Sequence, residues 1–279
     1  MPTVAFLTDR ERPAGAPDDL LALPALRHRA IDVRFVPWED AAPSAEIAAW
    51  FVRSPWNYAS QKVEFLAHLD RLRPLFNPLP LLLWNADKRY LLELAEAEID
   101  IIPSVVVPRD HLAEVATATG FETVVIKPLV SAGGAHTLRV STDGLRQVRL
   151  SSLPEGDYFV QPFLDDVVYG GELSCVFFDG VYSHAVRKYP PRGGFLVHEE
   201  HGGRTEPTVP SEALVEASLE VLHAAPDVGR YARVDWIETE RGPKLVELEL
   251  IEPELFFRAH PHAAARFADM VVNTLRERA

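Results

Sequence analysis

An α/β (α+β) fold is predicted by three observations. Short apolar strand runs alternate with helix-spaced segments through the first third of the 279-residue chain. Period-two strand patterns dominate the middle. Two helical patterns, about 211–224 and 261–278, flank a hairpin near the end.

Residues 3–7 read as a buried strand, and 18–29 carries helical apolar spacing that Pro24 should kink or split. Strands follow at 33–36 and 47–52, then a helix from Gln61 that stops by Pro74. This alternation predicts a small doubly wound, Rossmann-like domain over 1–83, on the substrate side. Ligands in such sheets bind beyond the carboxyl ends of the strands, where RSPWNY (53–58) falls. Arg53, Trp56 and Asn57 are therefore candidate substrate contacts, against the alternative of an ordinary loop with packed aromatics.

A second unit, 84–160, opens with a helix over 86–98 carrying Lys88 in its first turn. PSVVVP, ETVVIKP and AHTLRV follow as strands, with a helix between the first two. The third unit, 161–279, begins in DYFVQPFL. ELSCVFFDG and VYSHAVRKYP then form a hairpin around Asp179-Gly180, a type I′ turn pair. The loop PPRGGFLVHEEHGGRTE is too long and glycine-rich for a mere connection. Its His198 and His201 are either acid–base groups or plain polar residues; His260 and His262 lack matching metal ligands and read as structural.

The apolar share of 47% and charged share of 25% are those of a soluble globular enzyme. The net charge of −13, with no basic patch, argues against nucleic acid but not against a nucleotide, whose charge a few placed cations neutralise. Cys175 is the only cysteine, so an intramolecular disulfide and a cysteine zinc site are excluded; in LSCVFF it reads as a core residue. The N-terminal apolar run is too short for a signal peptide, and LFNPLPLLLW is short and proline-broken, so a cytoplasmic protein without a membrane partner is expected.

The most informative stretch is 231–250. YARVDWI and KLVELEL alternate as two hairpin strands, placing Asp235 opposite Glu247 and Glu249 on one face with Arg233. Facing like charges destabilise a sheet, so the arrangement is either a solvated acidic face or an oxygen site for a divalent cation such as magnesium. Lys127 ends the strand VVIK just before PLVSAGGAH, a phosphate-handling layout with Ser131, Gly133 and Gly134, although not a P-loop.

Taken in order, WNADKRYLLELA, VVIKPLVSAGG, FVQPFL, GELSCVFFDG, FLVHEEHGG, ARVDW and ELELIEPELFF resemble the ATP-grasp superfamily. The likeness is closest to its glutathione synthetase and RimK-like branch, which includes the cycloserine-forming ligase. The resemblance implies an ATP-grasp fold in which Lys88 and Lys127 bind ATP phosphates and the Ser131–Gly134 loop closes over them. Gln161, Phe163 and Leu164 would lie at the adenine, and Glu172 would accept from the ribose. Asp235, Glu247 and Glu249 match a two-magnesium set, with Glu249 where many relatives have asparagine. Arg233 and Lys188 would steady phosphoryl charge. Glu252, just past the metal strand, is a candidate for a substrate ammonium.

The implied activity is an ATP-dependent ligase. A small amino-acid-like carboxylate becomes an acyl phosphate and is captured by a nitrogen nucleophile, intermolecularly or by cyclisation. A non-catalytic ATP-binding regulator and a small-molecule kinase are the alternatives, and a homodimer is possible. One departure stands out: Leu196 occupies a loop position where relatives usually have arginine, with Arg192 and Arg204 as conceivable substitutes.

Overall fold

The computed structural model describes residues 1–278. Three parallel strands open it: β1 (Thr3–Thr8), β2 (Asp32–Pro37) and β3 (Ile47–Ser54), in the order β2-β1-β3. Alternate residues of β1 and β3 serve two cores, as period two demands of a sheet covered on both faces. Val4, Phe6, Ala49 and Phe51 pack on one side, and Ala5, Leu7, Trp50 and Val52 on the other. The segment 18–29 is split into α1 (Pro17–Leu20) and α2 (Leu23–His28). Pro24 sits in the first turn of α2, where its missing N–H costs nothing. Helix α3 (Lys62–Leu69) covers the second face through Phe65 and Leu69, and ends well before Pro74.

Two short helices follow, α4 (Leu79–Asn85), which the sequence reading did not assign, and α5 (Tyr90–Glu96). The helix expected over 86–98 thus begins later, and Lys88 lies in the turn before it. The Lys88 N–H donates to Leu129 O at 2.9 Å, so this backbone is tied to the next sheet instead.

That next sheet is antiparallel: β4 (Val105–Pro108), β5 (Thr123–Pro128), β6 (Leu138–Ser141) and β7 (Asp157–Pro162), in the order β4-β7-β5-β6. Val124, Ile126, Tyr158 and Val160 face α6 (Leu112–Ala118); Val125, Lys127 and Gln161 face the opposite way. The strand DYFVQP, read as opening the third unit, pairs with β4 and β5 and so belongs to the second.

After α7 (Asp166–Gly170) comes a five-stranded antiparallel sheet of β8 (Glu172–Phe178), β9 (Val181–Tyr189), β10 (Arg204–Thr208), β11 (Tyr231–Thr239) and β12 (Gly242–Glu249). Its order is β10-β9-β8-β11-β12. Asp179 and Gly180 both have positive φ, as a type I′ hairpin turn requires. Leu173, Cys175, Phe177, Val234 and Trp236 pack toward α8 (Glu212–Ala224). Cys175 is fully buried, and burial pushes its thiol up to about 12, in keeping with a core residue.

The other face of this sheet is divided. At one end Val176, Phe178, Val186 and Tyr231 join α9 (Ala263–Glu277) and the N-terminal sheet in one core; at the other end the face is charged. Among the described residues, no helix is long and apolar enough to cross a membrane.

Candidate active site

The charged end faces the inner side of β5 and β7 across a cavity of about 1040 Å³. In the β11–β12 register Arg233 lies opposite Glu249 and Asp235 opposite Glu247, as the alternation predicts. Each carboxylate already has a cation. Arg233 Nε and Nη2 donate to Asp235 at 3.0 Å, and Nη2 also donates to Glu249. Lys188 bridges Glu172 at 2.5 Å and Asp235 at 3.2 Å. Lys88 reaches across from the second unit to Glu247 at 2.9 Å and donates to Ser131 O at 2.9 Å.

Protonation follows from this pairing. Burial raises the Asp235 carboxyl, but Arg233 and Lys188 outweigh it and hold the group far below its ordinary value. Burial likewise opposes ionisation of Glu247, and Lys88 and Lys127 overcome it. Glu249 goes the other way: burial lifts it to about 8, Arg233 notwithstanding, with Glu247 and Glu252 adding repulsion. Burial lowers Lys127 to about 8, with the Lys88 charge acting in the same sense. Of the three hairpin carboxyls Glu249 is short of positive charge, and the Lys127 ammonium is short of negative charge.

Among the described residues no three His, Cys, Asp or Glu side chains converge closely enough to hold a metal ion as they stand. Asp235, Glu247 and Glu249 nevertheless form an all-oxygen donor set in register on adjacent strands, and Glu249 is a carboxyl that an added cation would help to ionise. That chemistry fits magnesium.

The remaining residues expected at the nucleotide also reach the cavity: Ser131, Gly133, Gly134, Phe163, Leu164 and Glu172 line it, and so does Gln161, which donates to Ser104 Oγ at 2.7 Å. The Arg139 guanidinium lies over the Phe163 ring at 3.7 Å. Leu196 lines the cavity as well, while Arg192 and Arg204 do not; Arg204 instead pairs with Glu206 and stacks on Tyr189.

The substrate-side expectations divide. Trp56 and Glu252 line the cavity. Arg53 does not: it is 2% exposed and donates to Asp19 at 2.8 Å and to Pro253 O at 3.1 Å. Its charge is consumed by a buried partner and a backbone carbonyl. Asn57 is likewise spent, accepting from Trp38 Nε1 at 2.8 Å and donating to Glu39 at 2.7 Å. In their place the wall carries Arg12, Tyr58, Glu254 and Arg258. Arg12 is pinned by Asp9 at 2.6 Å and lies over the Trp56 ring at 4.5 Å. Tyr58 belongs to the RSPWNY loop already marked; Arg12, Glu254 and Arg258 carried no pattern that would single them out.

Two sheets clasp a cavity, with lysines on one wall and a carboxylate hairpin on the other, the arrangement of an ATP-grasp fold. The chain superposes on the crystal structure of D-cycloserine synthetase DcsG with a TM-score of 0.84 at 27% identity, covering 98% of this chain and 99% of that one. A RimK-domain ATP-grasp protein from Sphaerobacter thermophilus matches with a TM-score of 0.73 at 18% identity, covering 97% and 99%. The family model for the DcsG N-terminal domain matches residues 4–77. The cycloserine biosynthesis protein DcsG of Streptomyces lavendulae is 31% identical, over 91% of this chain and 92% of that protein. The chain belongs to the DcsG family of ATP-grasp ligases, and it is an ADP-forming carbon–nitrogen ligase that activates a carboxylate with ATP.

Proposed function

We propose that the ligase acts on a small amino-acid-like carboxylate held between the RSPWNY loop and the Glu252–Glu254 segment, with ATP between the two sheets. The observation that carries this reading is the cavity itself: Lys88 and Lys127 stand across from Arg233, Lys188 and the three carboxylates of the hairpin. ATP-grasp structures such as the ligase PsnB are known with magnesium and ADP bound.

In this reading Lys88 and Lys127 neutralise ATP phosphates, and the anion in turn supplies the charge that Lys127 lacks. Asp235, Glu247 and Glu249 hold magnesium, two ions by the family pattern. When bound, the metal offsets phosphate charge during transfer. Arg233 and Lys188 face the charge that develops as the substrate carboxylate takes the phosphoryl group, a task of positioning and electrostatics needing no protein nucleophile. Glu252 receives the substrate ammonium. Glu172 and the edge of β7 hold the nucleoside, and the glycine loops exclude water from the acyl phosphate.

The test is magnesium-dependent ADP release with pooled D- and L-amino acids and their O- and N-substituted analogues, with and without hydroxylamine. Release that depends on one carboxylate and yields a hydroxamate identifies the acid. A product mass equal to the acid less water, or smaller still where a substituent is expelled on ring closure, marks cyclisation; a larger mass marks joining of two molecules. Nucleotide binding with no turnover in any pool counts against this substrate class.

A further inference from the structure

The long loop between β9 and β10 brings two imidazoles, His198 and His201, to the cavity wall. A Cβ built on Gly134, at φ +71°, would stand 3.3 Å from His198 Cε1 and Nδ1 and 3.3 Å from Leu196 Cδ2. His198 is thus seated directly on the glycine turn of the second unit. Its neighbour His201 is committed elsewhere, with Nε2 3.1 Å from Gly133 O. His198 Nδ1 is buried and, among the described residues, has no hydrogen-bond partner. A buried polar atom left unpaired is costly, so a partner absent from the protein itself is implied.

The surroundings narrow what that partner is. The ring lines the cavity, and the charged groups acting on it are Lys188, Arg233, Glu247 and Asp235, with His201 edge-on at 6.0 Å. Burial first, and then the Lys188 and Arg233 charges, drive its basicity down to about 4, so the ring is neutral at neutral pH. A phosphoryl anion arriving beside those two cations offsets their share of the effect and raises the ring's basicity, while the share due to burial stays. The imidazole is therefore best able to take a proton once an acyl phosphate occupies the site.

We propose that His198 is the general base of the second half-reaction, accepting through Nδ1 the proton that the attacking nitrogen sheds. The balance is complete. The nitrogen lone pair forms the new C–N bond, the C–O bond to phosphate breaks with its electron pair leaving on phosphate, and the nitrogen proton passes to His198 and then to phosphate or water. This rests on the ligase reading above.

The test compares the wild type with His198→Asn, which retains a polar group of similar reach but no base. Both are given ATP, magnesium and the carboxylate identified in the pools, once with the natural nitrogen nucleophile, inter- or intramolecular, and once with hydroxylamine trapping the acyl phosphate. Hydroxylamine is largely unprotonated at neutral pH and depends less on a protein base. The expected result is a fall of about 100-fold in the ratio of natural ligation to hydroxamate formation, the usual scale of a general base. ATP-analogue affinity and melting temperature should stay near wild type. An unchanged ratio overturns the proposal, whether both rates persist or both fall together. A wild type that turns over none of the pooled carboxylates overturns the substrate reading above and this proposal with it, and is recognised before any variant is made.

Discussion

At the residue scale the site is a set of buried charges held in mutual check, and removing one partner should cost more than the pair contributes. Arg53→Ala strands the Asp19 carboxylate in the interior, so a loss of about 3–5 kcal/mol is expected in denaturant unfolding. Glu247→Gln should behave oppositely, losing at least about 100-fold in kcat while unfolding at a similar denaturant concentration, since its partner Lys88 keeps the Ser131 carbonyl. His184 supplies a pH test outside the cavity. Burial, assisted by His260 and Arg266, lowers it to about 4, although its Nε2–H bond to Leu255 O and the Asp18 carboxylate favour the charged form. The native state then binds fewer protons than the unfolded one between about pH 6.5 and 4, so stability falls across that window as pH falls, by roughly 2–3 kcal/mol. A His184→Gln variant should show a flatter unfolding curve over the same range.

At this scale the sequence showed charges but not their partners. Asp235, Glu247 and Glu249 were readable because strand alternation converts spacing directly into facing. Arg53 was misread because its partner lies 34 positions away, in a helix whose position no local pattern reveals.

At the element scale, strands and hairpins were legible where apolar alternation was regular, and obscured where proline and charge interrupt it. Strand β10 was missed because GGRTEPTVP does not look like a strand; Pro207 is tolerated there because β10 is an edge of its sheet. Helix α5 was placed early because Lys88 fits helical spacing, whereas its N–H is bound to Leu129 across the chain. The glycine turn at 133–134 behaves as an element in its own right, since it meets the long loop of the third unit at Leu196 and His198. Gly134→Val would force a β-branched side chain into positive φ against Leu196 and His198. A tenfold or greater loss of ATP-analogue affinity is expected by calorimetry, with overall stability little changed.

At the scale of the whole molecule, α9 joins the ends of the chain. Phe267 packs edge-on against Phe6, Phe178 and Phe257, which places N-terminal and C-terminal sheets in one core. Phe267→Ala should cost about 3–5 kcal/mol and lower a melting transition sensed together by probes in both sheets. The three-sheet plan was visible in the order of motifs, but this closure was not: α9 reads as an amphipathic helix without indicating which surface receives it.

The hairpin that carries the carboxylates has a further property. Strand β12 ends its sheet, yet its outer side is not bare: Leu248 N–H donates to Tyr90 Oη at 3.0 Å, and Asn85 accepts from Leu250 N–H and donates to Leu248 O, both at 2.8 Å. Leu245 N–H is taken by Asp100 O at 2.9 Å. Side chains and a passing loop thus imitate a neighbouring strand without continuing the sheet. An open edge at this position would invite another copy of the chain to add a strand beside the hairpin carboxylates. Asn85→Ala should therefore reveal itself first as concentration-dependent clumping on storage, measured by light scattering. Any symmetric pairing of two molecules must form somewhere other than along this strand.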